Sequence, residues 1–131
     1  MKKHGILNQP ISSVIAEMGH KDQLTICDAG LPIPELFKRI DLAIQPGFPD
    51  FLQVVRAVAD ELQVEAIIMA EEVKGANPSV AQAVQEIFPE TSVNFVPHSE
   101  FKKMSQDSRA YIRTGECTPF ANVILVSGVI F

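Results

Sequence analysis

The residues best suited to move protons or hold a polar ligand in this 131-residue chain are His20, Asp28, Glu71 and His98. Imidazole titrates near neutrality, at about 6.5, which suits general acid–base work. His20 directly follows Gly19 at the end of a helical pattern. A histidine there also has a structural use, because it can bind the last helix carbonyls and complement the helix dipole. Position alone leaves both readings open. Asp28, Glu71 and His98 each follow an extended segment, and open α/β sheets bind ligands at the carboxyl ends of their strands. Asp28 could equally cap its own loop, and Gly30 beside it allows a tight turn or a close ligand approach. Lys102, one helical turn past His98, either reaches the same crevice or is simply solvated. The segment Arg113–Asn122 is dense in hydrogen-bonding groups and reads as a turn or as a substrate-binding loop.

Alternating helical and extended patterns must position these residues. Ile11, Val14, Ile15 and Met18 recur at helical spacing, with Pro10 in the first turn and Gly19 at the exit. Gln23–Cys27 alternates as a strand, and Pro32 and Pro34 confine the next segment to a loop. Arg39–Ile44 is a second strand candidate. Phe51, Val54, Val55, Val58 and Leu62 then form one helix stripe. Val64–Ala70 is apolar enough for a central strand. Asn77-Pro78 reads as a cap and first-turn proline for a helix buried through Val80, Val84, Ile87 and Phe88. Thr91–Val96 is extended, Ser99–Met104 a short helix, and Ala110–Arg113 and Asn122–Val126 the last extended segments. The expected architecture is a single-domain layered α/β fold over residues 1–131, with a largely parallel central sheet flanked by helices.

Several function classes are disfavoured. The chain carries no GxxxxGK[ST], no GxGxxG after a strand, no GxSxG and no HExxH. His20, His98 and Asp28 lack the local spacing of a metal site, so no metal or cofactor is expected. A net charge of −5 gives no footprint for nucleic acid or an anionic membrane. The 47% apolar and 21% charged composition is that of a soluble globular protein. No apolar run approaches a membrane span, and the apolar stretch after Lys2-Lys3 stops at Asn8, so a cytoplasmic location is expected. Cys27 and Cys117 match no zinc pattern and read as small apolar fillers.

Taken in order, the segments resemble the ribose pyranase and fucose mutarotase family, and most of all its ribose pyranase branch. The resemblance rests on Lys2-Lys3-His4-Gly5-Ile6-Leu7-Asn8, Gly19-His20, Asp28-Ala29-Gly30-Leu31-Pro32-Ile33-Pro34 and Ile40-Asp41-Leu42. It continues through Pro97-His98-Ser99-Glu100, Ile112-Arg113-Thr114-Gly115-Glu116, Thr118-Pro119-Phe120-Ala121-Asn122 and Gly128-Val129-Ile130-Phe131. It implies an isomerase that interconverts the β-pyranose and β-furanose forms of D-ribose without a cofactor, feeding ribose catabolism. It implies His20 as proton donor, and Asp28, His98, Phe120, Ala121 and Asn122 as substrate-binding positions. Phe120 departs from the family's usual tyrosine, which removes one phenolic hydroxyl from the sugar site. The resemblance also implies ring-shaped homo-oligomers, decamers in several members. A mutarotase for fucose or another monosaccharide, and a non-catalytic sugar-binding accessory protein of ribose uptake, are the alternatives.

Strand length adds a constraint. His20 precedes the first strand and Asp28 follows it, and five extended residues span roughly 17 Å at ~3.3 Å each. A pentose is much shorter. Either the His20 turn folds back along the sheet, or one subunit supplies His20 and its neighbour Asp28.

Overall fold

The computed structural model describes residues 1–131. Its six strands are β1 (Gln23–Cys27), β2 (Arg39–Asp41), β3 (Val64–Ala70), β4 (Ser92–Val96), β5 (Ser108–Arg113) and β6 (Val123–Ser127). The helices are α1 (Gln9–Glu17), α2 (Phe51–Ala59), α3 (Val73–Ala76), α4 (Pro78–Ile87) and α5 (His98–Met104). All six strands join one sheet in the order β2-β5-β1-β6-β3-β4. The pairs β1–β5, β2–β5 and β3–β4 are parallel. β6 runs antiparallel to both β1 and β3 and so stitches the two parallel halves together.

The expected α/β architecture is therefore present, with β6 as its antiparallel element. β1 and β6 are buried almost throughout, as strands covered on both faces must be. The larger core cluster gathers the stripes of α1, α2 and α4 against one face through Val14, Phe51, Val55, Val58 and Val84. A smaller cluster around Phe101 and Tyr111 covers the other. No helix is long and apolar enough to cross a membrane.

Three local expectations are corrected. β2 stops at Asp41; the Leu42 N–H still donates to the Arg113 carbonyl at 2.9 Å, and the chain then turns away, the Ile44 N–H meeting the Phe48 carbonyl at 3.1 Å. The first helix ends at Glu17 with Met18 as its cap, so Gly19 lies beyond the exit. Asn77 precedes α4, but its side chain does not cap the helix. Its Nδ2 instead donates to Thr118 Oγ1 at 2.9 Å and to the Pro119 carbonyl at 3.0 Å, tying α4 to the loop before β6. That loop also needs Gly115, where a Cβ would lie 2.3 Å from the Phe48 carbonyl oxygen.

Candidate functional site

At the carboxyl end of β1 the chain bonds a carboxylate and an amide reciprocally. Asn122 Oδ1 accepts from the Asp28 N–H at 2.9 Å, and Asn122 Nδ2 donates to Asp28 Oδ2 at 2.9 Å. Asp28 Oδ1 takes the Gly30 and Leu31 N–H groups at 2.9 and 2.8 Å. Asp28 is thus both loop cap and cleft residue, and the two sequence readings combine. A carboxylate offers about four lone-pair sites, so capacity remains for a ligand hydroxyl.

Phe120 adopts φ +56°, a left-handed conformation uncommon outside glycine, asparagine and aspartate. The kink is closed by the Asn122 N–H donating to the Phe120 carbonyl at 2.9 Å. It places the Phe120 ring edge-on to His98, with ring centroids 5.0 Å apart. Backbone strain of this kind concentrates at ligand sites. Asp28, His98, Phe120 and Asn122 together line a cleft of about 290 Å³. His98 opens α5, where both Glu72 carboxylate oxygens accept its backbone N–H. Its Nε2 is buried with no hydrogen-bond partner in the chain. A buried polar atom without a partner is costly, and a ligand hydroxyl in the cleft would supply one. Ala121 is fully buried in the core and does not line the cleft.

Glu116 holds the rest of the loop. Its carboxylate accepts from the N–H groups of Phe51, Cys117 and Thr118. Burial works to raise its pKa, but the hydrogen bonds from Thr118, Phe51 and Cys117 outweigh it and leave it lowered. A lowered carboxyl contributes stability above its unfolded value, about 4.5, and loses it as pH falls through the folded one. Glu116→Gln therefore lowers the melting temperature most near neutral pH, and the gap from the parent closes below about pH 4.5. Melting curves at pH 3.5 to 7 in steps of about half a unit check this; a gap independent of pH would contradict it.

His20 stands apart, at the amino end of β1. Its ring is half exposed, and Nε2 bonds Glu65 Oε2 at 2.9 Å. It lines a separate cleft with Met18, Gly128, Val129 and Ile130. The His20 turn does not fold back along the sheet, so the two clefts lie at opposite ends of β1. The other sequence candidates fall outside both. Glu71 and Lys102 are exposed and line neither cleft. Cys27 is buried, and burial pushes its thiol up to about 12, which makes it a packing residue; Cys117 is exposed.

Sequence reasoning missed Glu65 and Glu72. The signal for Glu65 was available: it is the one charge in the otherwise apolar strand Val64–Ala70. Glu72 gave none, because its role appears only when β3 and β4 lie side by side.

The fold is thus a small α/β sheet with a cleft at each end of β1 and a histidine lining each. The profile of the RbsD / FucU transport protein family matches residues 1–130, and the chain belongs to that family. Among its relatives, the D-ribose pyranase of Lactobacillus acidophilus is 50% identical over 131 residues, covering all of both chains. The D-ribose pyranase of Geobacillus kaustophilus is 50% identical over all of this chain and 96% of its own. The structure of Bacillus subtilis RbsD complexed with D-ribose superposes with a TM-score of 0.97 at 44% identity, covering both chains in full. The fucose mutarotase of Streptococcus pneumoniae, 21% identical over 99% of this chain and all of its own, shares the fold at a TM-score of 0.85.

Proposed function

We propose that this chain is a D-ribose pyranase, interconverting the β-pyranose and β-furanose forms of ribose by acid–base ring opening and reclosure. The observation that carries this reading is full-length identity near 50% to chains of that name, joined to a polar cleft built around Asp28, Asn122 and His98. In the forward step the anomeric hydroxyl loses its proton, the ring oxygen gains one, and the bond from C1 to the ring oxygen breaks. The open aldehyde turns about a single bond, and a different hydroxyl adds to C1 while the protons return. No electron changes owner, and a group that gives and takes a proton near neutrality is enough. His20 is the proton-transferring group. Asp28, Asn122 and His98 bind hydroxyls, and the Phe120 ring stacks on an apolar sugar face. Ala121 packs behind that wall, in the core.

The two half-sites combine across subunits in this reading, His20 from one chain meeting the Asp28 cleft of its neighbour. Both ends present the apolar surface such a contact needs. Ile130 is 88% exposed near His20, and Ile44 is 75% exposed on the Asp28 side. A ring of such contacts, a decamer, leaves no unpaired end. The reaction belongs with ribose catabolism in the cytoplasm.

Exchange NMR on ribose at equilibrium tests the proposal. Catalytic amounts of protein broaden the pyranose and furanose C1 signals, with L-fucose far less affected. Fucose exchange alone would move the chain to the mutarotase branch. Binding of ribose with no acceleration of either sugar would make it an accessory binding protein.

A further inference from the structure

The turn that carries His20 is fixed from several sides. Asp22 Oδ2 accepts the Gly19 N–H at 2.8 Å, and Asp22 Oδ1 accepts from Arg109 at 3.0 Å. The Lys21 N–H donates to the Ser127 carbonyl at 2.9 Å, and the Asp22 carbonyl accepts from the Ser127 N–H at 2.8 Å. Lys21 itself takes φ +71° to make this turn. The backbone of His20 is thereby set, and what remains free is the rotation of its ring and the choice of tautomer.

Glu65 meets both freedoms. It projects from β3, where every other side chain is apolar, and its Oε2 lies 2.9 Å from His20 Nε2. Its other oxygen is held by Lys21 Nζ, so the carboxylate is oriented as well as placed. Gly128 leaves the room: a Cβ there would stand 3.0 Å from Glu65 Cβ. The Lys21 hydrogen bond is the main cause that keeps the Glu65 carboxyl below its ordinary range, against some desolvation and with help from His20. It is therefore an acceptor for Nε2–H. A carboxylate on one imidazole nitrogen fixes the ring and dictates which nitrogen faces the reaction.

We propose that Glu65 is the positioning residue for His20: by accepting from Nε2–H it holds the ring with Nδ1 open toward the sugar. This rests on His20 being the proton-transferring group of the preceding section. Nδ1 then alternates between bare and protonated as it takes the anomeric proton or returns one, while Nε2 keeps its hydrogen throughout. Neither Lys21 nor Glu65 touches the sugar in this arrangement.

The test pairs ring-nitrogen NMR with exchange kinetics on the full-length protein. In the parent, the two His20 ¹⁵N signals of the neutral ring are widely split, Nε2 pyrrole-like and Nδ1 pyridine-like. Glu65→Ala draws them together as the second tautomer populates, and kcat falls about 10–100-fold with KM nearly unchanged, whereas Glu65→Gln, whose amide oxygen still accepts from Nε2–H, restores part of both. A Glu65→Ala protein that keeps the parent splitting, or keeps the parent kcat, overturns the inference even where His20→Ala has lost activity. Full exchange activity in His20→Ala would instead remove the functional reading beneath it, whatever the tautomer. Glu65→Gln, nearly isosteric, guards against a loss of folding being read as a loss of positioning.

Discussion

Replacing His20 by alanine is expected to slow ribose ring exchange by about 10²–10⁴-fold, the usual worth of one positioned acid–base group. The melting temperature should hardly move, because the ring is half exposed and its hydrogen bond to Glu65 lies at the surface. Rate and stability thus separate cleanly, which a structural helix-end histidine would not allow. Unaltered exchange in this variant would return His20 to that structural role. The same variant also tests the sharing of sites. If each site joins His20 of one subunit to the Asp28 cleft of the next, co-assembly with an Asn122→Ala chain rebuilds intact sites. At ribose well below KM, random pairing of equal amounts gives about one quarter of parental activity, above the mean of the two variants assayed alone. Strict additivity of the two residual activities would count against a shared site.

Asn122→Ala carries the second large effect, and it falls on folding as well as on binding. Asn122 is 1% exposed, and its amide satisfies both the Asp28 N–H and one Asp28 carboxylate oxygen. Truncation leaves these groups without partners at the edge of the core, at a cost of about 1–3 kcal/mol. For a domain of this size that is a drop on the order of 5–10 °C in melting temperature. The Asp28 carboxylate also loses the contact that aims it, so KM for ribose should rise at least about tenfold, equivalent to ~1.4 kcal/mol. Thermal melts and initial exchange rates over a range of ribose concentrations measure the two effects separately. A parental melting temperature would show that the pair is dispensable to the fold. A parental KM would show that the cleft does not hold the sugar through Asp28.

Phe120 bears on both results. Its ring packs edge-on against His98, whose Nε2 is the unpartnered buried atom of the cleft. A tyrosine there would add a hydroxyl to this wall. In the proposed site the polar contacts fall on Asp28, Asn122 and His98, which sharpens the expected loss when any one of them is removed.

Local residue patterns were enough to mark the elements and most of the residues around which a site can form. Periodicity of two and of 3.6 is a local property, and it marks Gln23–Cys27, Phe51–Ala59 and Val64–Ala70 almost to the residue. Asp28 and His98 were legible because a polar residue after an apolar strand has a place set by the chain itself. How these pieces meet is visible only in the folded chain. That β6 runs antiparallel between β1 and β3 depends on backbone hydrogen bonds between segments about 60 to 100 residues apart, which no local pattern encodes. The bonding of Asp28 to Asn122 spans 94 residues of sequence and exists only once β1 and β6 are neighbours. The contact of Glu65 with His20 spans 45 residues and depends on the same sheet order. Spacing could say that His20 and Asp28 lie a strand's length apart. Only the packed sheet shows that a straight β1 keeps them there, with Glu65 beside one and Asn122 beside the other.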